Sequence, residues 1–219
     1  MNSQYPRKPF IARGSNVIRC DDCKLPVVAC MCSDTLKSNA ACDFWLLMHH
    51  DEFYKPTNTG RLIQRTFPST QCSRWSRLEP TEDLISVLAN PRISPCIVFP
   101  EAPDYSDRMI KDLSKLPNRP LFIIPDGTWR QARRIFRHSR YLDVLPVIEP
   151  TILFDSRYKL RSSGEERHVC TAEVAAALLL QIGDIEAGNA LLQNFETFNQ
   201  RYYESKGRNL NAEEGASKP

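Results

Sequence analysis

The sequence predicts an α/β protein with a mainly parallel sheet and helices on both faces. Three short, continuously apolar runs carry that prediction, at residues 44–48, 95–99 and 120–124. Runs this short that do not alternate with polar residues are strands buried on both sides, and such strands belong to parallel sheets covered by helices. Segments of helical periodicity lie between and after them, so strands and helices alternate along the chain.

Residues 1–19 have no periodicity, contain Pro6, Pro9 and Gly14, and carry Arg7, Lys8, Arg13 and Arg19; they are read as a basic arm. A cysteine-rich segment, 20–42, follows with Pro26 in its middle turn. The first strand, 44–48, ends at His49 and His50, and a stretch of turn formers from Lys55 to Gly60 then leads into Arg61, Leu62 and Ile63. Thr81 caps a helix running to about Ala89, with Glu82 and Asp83 in its first turn. The strand at 95–99 is halted by Pro100, and 107–116 is helical in character. After the strand at 120–124, residues 125–128 read as a turn, 129 to about 140 as a helix and 144–148 as a fourth strand. Thr171 opens a helix to residue 182. A last helix spans 185 to about 203, with Leu191, Leu192, Phe195 and Phe198 on its apolar face. Residues 43–204 thus form the main domain, and 205–219 a polar, disordered tail.

Composition bounds the environment and the partners. Of 219 residues, 42% are hydrophobic and the mean hydropathy is −0.41. The longest apolar run, 174–180, falls well short of the ~20 residues that span a bilayer. No apolar stretch follows the N-terminal cations, so no signal peptide is expected and the chain is read as cytoplasmic. Net charge is only +3, yet no acidic residue precedes Asp21 and none lies between Gly127 and Leu142, where Arg130, Arg133, Arg134, Arg137 and Arg140 are packed. Local basic patches on a near-neutral chain suit a positioned polyanion.

Ligands of open α/β sheets sit beyond the carboxyl ends of the strands, which here selects residues 49–61, 100–104 and 125–129. Asp126 lies just after a strand and before a helix, where it reads either as a carboxylate facing the ligand crevice or as the helix cap. In that helix Arg130, Arg133, Arg134 and Arg137 share one face, opposite Ala132, Ile135 and Phe136. Four arginines with no acid among them point to a phosphate backbone; a solvated face is the plainer reading. Thr57, Asn58, Thr59 and Arg61 suit a polar ligand as well as a turn. His49 and His50 adjoin Asp51 and Glu52, as a proton-handling group or as strand-end hydrogen bonders. Cys20, Cys23, Cys30 and Cys32 supply the four thiolates of a closed structural zinc site, the alternative being reduced, unliganded thiols. The scattered Cys42, Cys72, Cys96 and Cys170 read as small core residues. No Gly-rich phosphate loop, Walker sequence or Ser-His-Asp order is present, which removes support for dinucleotide and nucleoside-triphosphate enzymes.

Taken in order, several of these pieces resemble the DTW-domain family of tRNA-uridine aminocarboxypropyltransferases over about residues 20–200. They are the cysteine cluster, the segment from Lys55 to Leu62, the strand end Ile97 to Glu101, Asp126 with Thr128 and Trp129, and Leu160-Arg161 followed by Thr171 and Glu173. The sequence departs from the family pattern at Cys170, where a serine is more usual, and at Ser162, Ser163 and Gly164.

The resemblance implies a SPOUT-like, knotted α/β fold and S-adenosylmethionine as co-substrate. It implies transfer of the 3-amino-3-carboxypropyl group to N3 of a uridine in tRNA, with methylthioadenosine leaving. It makes Asp126 the catalytic base or the anchor of the ammonium group. It makes Thr57, Asn58, Thr59, Arg61, Pro100, Glu101, Thr128, Trp129, Arg161, Thr171 and Glu173 cofactor-binding, with Arg161 paired to the carboxylate. The arginine stripe, the basic arm and the zinc module then hold the tRNA. A SPOUT-like RNA methyltransferase and a non-catalytic zinc-containing RNA-binding protein are the alternatives.

Overall fold

The computed structural model describes residues 17–151 and 169–207. Five strands, β1 (Asp43–Met48), β2 (Gln71–Arg74), β3 (Ile93–Val98), β4 (Arg119–Asp126) and β5 (Val147–Ile148), form one sheet in the order β2-β1-β4-β3-β5. Every pairing between them is parallel. The α-helices are α1 (Gly60–Thr66), α2 (Glu82–Leu88), α3 (Trp129–His138), α4 (Thr171–Gln181) and α5 (Ile185–Glu204).

Successive strand residues point to opposite faces, and here both faces are covered. Phe44, Leu46, Phe122 and Ile124 pack into one core with Leu62 and Ile63 of α1, Leu178 of α4 and Phe198 of α5. Trp45, Leu47, Leu121 and Ile123 pack into another with Leu84 of α2 and Ile135 of α3. This double burial is why β1, β3 and β4 read as unbroken apolar runs. Cys23, Leu25 and Met31 of the cysteine-rich segment belong to the first core, so that segment is packed onto the sheet layer. Asn194 of α5 fixes it further, accepting from the Leu36 N–H at 2.9 Å and donating to the Leu36 carbonyl at 2.8 Å.

β1 and β4 are hydrogen-bonded neighbours although helices and strands separate them in sequence. From β1 the chain turns outward to β2, whereas β3 and β5 lie beyond β4. Such a reversal leaves a crevice above the carboxyl ends of the two central strands.

Several expectations are corrected. The helix expected at 107–116 is instead two short 3-10 turns, Pro103–Arg108 and Leu113–Lys115. Between them Met109 bridges Val147 and the Ile110 N–H donates to the Val147 carbonyl, so the segment spends its backbone groups on the edge of β5. β5 is only Val147–Ile148, because Val144 is 87% exposed and makes no ladder. β4 runs on through Pro125 to Asp126, into the stretch expected to turn. β2 and α1 have no counterpart among the elements expected from sequence. Thr128, not Asp126, caps α3, accepting from the Gln131 N–H. Likewise Cys170 occupies the cap position of α4, which leaves the Thr171 side chain for another partner.

No helix among the described residues is long and apolar enough to cross a membrane. Most of the basic arm, the tail beyond residue 207, Arg161 and residues 162–164 lie outside the described residues.

Candidate functional site

At the carboxyl end of β4, paired with Met48 of β1, stands Asp126. Its side chain is 1% exposed. Oδ1 accepts from the Thr171 hydroxyl at 2.6 Å and Oδ2 from Asn58 Nδ2 at 2.7 Å. A Cβ on Gly60 would come within 2.7 Å of the same Oδ2, so glycine at the start of α1 is what lets the carboxylate seat there.

Asn58 has its orientation fixed from both ends. Its Oδ1 accepts from the Arg61 N–H at 3.1 Å, which turns Nδ2 toward two carboxylates, Asp126 and, at 3.3 Å, Glu52. Glu52 is 0% exposed and also accepts from the Lys55 ammonium. Sequence reasoning named Glu52 only as a neighbour of the histidines in a proton-handling run, and Lys55 only as the start of the turn-forming stretch, and it did not pair the two. The available signal was their spacing of three, since residues 50–54 form a 3-10 helix in which i and i+3 eclipse.

The loop between β1 and α1 is braced by Arg61, whose guanidinium donates to the Phe53 carbonyl at 2.9 Å and the Lys55 carbonyl at 3.3 Å. Burial pulls the pKa of Arg61 down, and the nearby Asp126 charge opposes that shift. Burial also pushes the Cys72 thiol up to about 12, with Asp126 adding to the shift.

The first turn of α4 closes the cluster from the third side. The Ala172 N–H donates to Thr59 Oγ1 at 3.4 Å, and the Cys170 N–H to Glu173 Oε2 at 2.8 Å. Both Thr59 and Glu173 are buried. The structure thus brings Asn58, Thr59, Arg61, Asp126, Thr171 and Glu173 into one hydrogen-bonded cluster, with Thr57 half-buried beside it.

Thr128 and Gln131 form a capping box at the start of α3. Because Gln131 Oε1 accepts the Thr128 N–H at 2.7 Å, its Nε2 faces His49 Nδ1 at 3.1 Å. His49 therefore accepts at Nδ1 and carries its proton on Nε2. Burial and then the neighbouring His50 lower the pKa of His49, in keeping with a neutral ring. Trp129, 38% exposed, stacks on Phe99 at 5.4 Å. Pro100 and Glu101 make their contacts away from the cluster. The Pro100 carbonyl accepts from Tyr105, and Glu101 pairs with Lys111 at 3.4 Å.

Arg130, Arg133, Arg134 and Arg137 are all exposed on α3, and none makes an ion pair among the described residues. Arg133 lies over Trp129 at 5.3 Å and Arg134 over Trp75 at 5.7 Å.

The Sγ atoms of Cys20, Cys23, Cys30 and Cys32 lie within 4.8 Å of one another, a spacing able to hold a metal ion. Cys20 and Cys32 are 3.5 Å apart, and Cys23 and Cys30 3.8 Å. The turn that gathers the first pair returns through Lys24 at φ 59°, with the Lys24 N–H donating to the Cys20 carbonyl. Hydrogen bonding from the Cys23 backbone lowers the Cys20 thiol to about 6, with a smaller contribution from that of Asp22.

A family model described as the DTW domain matches residues 17–203 of the chain's 219, from the cysteine cluster to the end of α5. No solved structure matches the chain. With more than four-fifths of its length covered, the chain belongs to the DTW-domain family, which is associated with tRNA modification.

Proposed function

We propose that this chain transfers the 3-amino-3-carboxypropyl group of S-adenosylmethionine to N3 of a uridine in tRNA. The observation that carries this reading is the convergence of Asn58, Thr59, Asp126, Thr171 and Glu173, from three separate parts of the chain, at the switch point of the sheet. In the reaction, N3 gives its proton to solvent water before the site closes, and the resulting anion forms a bond to the γ-carbon of the methionine moiety. The γ-carbon–sulfur bond breaks, its electron pair stays on sulfur, and neutral methylthioadenosine departs. The protein's part is alignment of the two reactants and exclusion of water.

In this reading Thr57, Asn58, Thr59 and Thr171 present polar atoms to the co-substrate, and Arg161 pairs with its carboxylate. The Trp129 face, held flat by Phe99, forms the wall with Thr128, while Pro100 and Glu101, whose contacts lie away from the cluster, stand outside it. Asp126 acts through others. A group 1% exposed with each oxygen holding a partner orients Asn58 and Thr171, so we assign it positioning rather than the proton transfer or ammonium contact expected from sequence. The four cysteines hold zinc. A tetrahedral site with bonds of about 2.3 Å sets sulfurs about 3.8 Å apart, matching the spacing of the two close pairs.

The test is the nucleoside left after incubation with S-adenosylmethionine and unmodified tRNA. Methylthioadenosine is expected; adenosylhomocysteine would mean methyl transfer, and no product would mean a binding protein. A second expectation concerns α3. Changing Arg133, Arg134 and Arg137 together to Ala should weaken tRNA binding and flatten its salt dependence by about 2 to 3 logarithmic units per decade of salt. Binding of S-adenosylmethionine should hold, and its collapse in a folded variant would show that α3 belongs to the co-substrate site instead.

A further inference from the structure

We propose that the surface for the tRNA backbone extends off α3 onto the segment after β2, where Arg74 and Arg77 form a second strip of phosphate contacts. This rests on the tRNA reading above and adds to it residues that the sequence did not single out.

The geometry begins with register. Met48 of β1 pairs with Asp126 on one side and with Arg74 on the other, so Arg74 sits in the same row of the sheet as the candidate site. Two strand spacings put the two backbones about 10 Å apart. Arg74 is therefore at the carboxyl edge of the sheet, where the crevice opens.

The segment leaving β2 is tied to α3. The Trp75 N–H continues the ladder by donating to the Met48 carbonyl, and Trp75 Nε1 donates to Ser139 Oγ at 2.9 Å, just past α3. Ser139 Oγ in turn donates to the Ile135 carbonyl at 2.7 Å. The Tyr141 hydroxyl donates to the Ser76 carbonyl at 3.1 Å. Arg134 covers the indole of Trp75 from α3. Arg74 and Arg77 flank this anchored Trp75–Ser76 pair, both exposed and both without an ion pair among the described residues.

Arginines from two elements thus share one braced surface, with Arg134 at the join. Asp51, an exposed carboxylate of the β1–α1 loop, is engaged by His50 Nε2 at 2.8 Å and by Gln131. The exposed acids beyond Arg77 are Glu79 and, at the start of α2, Glu82 and Asp83. Exposed cations gathered without partners repel one another, and a polyanion lying across them removes that repulsion by releasing its own counterions. Charge complementarity therefore selects a nucleic-acid backbone as the occupant. The row shared with Asp126 brings that backbone to the mouth of the site.

The test measures tRNA binding by the full chain across a salt series. Arg74→Ala/Arg77→Ala should bind at least about tenfold more weakly near 0.1 M salt, with a slope shallower by about 1.5 to 2. Its melting should be unchanged. Arg74→Lys/Arg77→Lys should recover most of the slope, because a phosphate contact needs the charge more than the fork. A parent chain that binds tRNA in a salt-dependent way, beside an Ala pair with the same affinity and slope, would overturn the extended surface and leave α3 standing. Loss of affinity with an unchanged slope that the Lys pair does not recover would also overturn it. A parent without salt-dependent binding would remove the tRNA reading and this inference together.

Discussion

Asp126→Ala is expected to destabilise the protein by about 2 to 5 kcal/mol, which in a chain of this size lowers the melting temperature by about 5 to 15 °C. The substitution leaves the Asn58 amide and the Thr171 hydroxyl facing a hole where a carboxylate had accepted from both. A buried donor left without an acceptor costs about 1 to 3 kcal/mol, which applies to Asn58, and the half-buried Thr171 hydroxyl adds less. Asn58 cannot simply turn over, because its own oxygen is committed to the Arg61 N–H. Product formation should fall at least about a hundredfold, as Asn58 and Thr171 lose their common anchor. Asp126→Asn separates positioning from proton transfer. An amide oxygen still receives Asn58, and its NH2 can donate to the Thr171 hydroxyl, which rotates to accept. The Asn variant should therefore melt within a few degrees of the parent and recover product to within about tenfold. A general base would behave otherwise: Asn would melt like the parent and still lose a factor of about 10² to 10⁴ in rate. That result would return Asp126 to direct chemistry.

The sequence-level reading and the structure agree where one physical signal dominates. β1, β3 and β4 are buried on both faces, so their apolar runs are legible without knowledge of their neighbours. β2 is an edge strand whose register holds Gln71, Cys72, Ser73 and Arg74, of which only Ser73 is buried; polarity of that kind resembles a loop. α1 begins on Gly60 and lacks a side-chain cap, because the hydroxyl of Thr59, the residue before it, serves α4 instead. That partner is more than a hundred residues away, and no local pattern encodes it. The site shows the same division. Asp126 and Asn58 are legible through the rule that ligands lie beyond strand ends. Glu52 stands in a His-His-Asp-Glu run that reads as a proton-handling or strand-end group, and its full burial beside Asn58 comes from the 3-10 turn, which that reading does not supply. The place of Asp126 along the chain is legible too, but its enclosure depends on α4 arriving from far downstream.

The purified chain should carry about one zinc, and stripping it under reducing conditions should lower the melting temperature by about 10 °C or more. The size of that effect follows from where the cysteine segment is packed. Cys23, Leu25 and Met31 are buried in the same core as Phe44 of β1 and Phe198 of α5. The segment has little regular structure of its own, a single 3-10 turn at Val27–Ala29 and a bridge between Arg19 and Pro26. Between Cys20 and Cys32 its backbone hydrogen bonds are local, and the ties to Asn194 and Thr66 begin only at Leu36 and Ser38, so a metal gripping the four cysteines adds a constraint on Leu25 and Met31 that those ties do not supply. Without that clip the segment gains backbone entropy, at about 1 to 2 kcal/mol per released residue, and the apolar contacts it made are exposed. Cys23→Ser should reproduce much of the loss, since the weaker oxygen ligand replaces a buried thiolate. Readdition of zinc should restore the stripped parent but not the serine variant. Metal analysis that finds none in a reduced, chelator-free preparation would make the four residues a cluster of packed thiols, and their spacing a consequence of the turn at Lys24 alone.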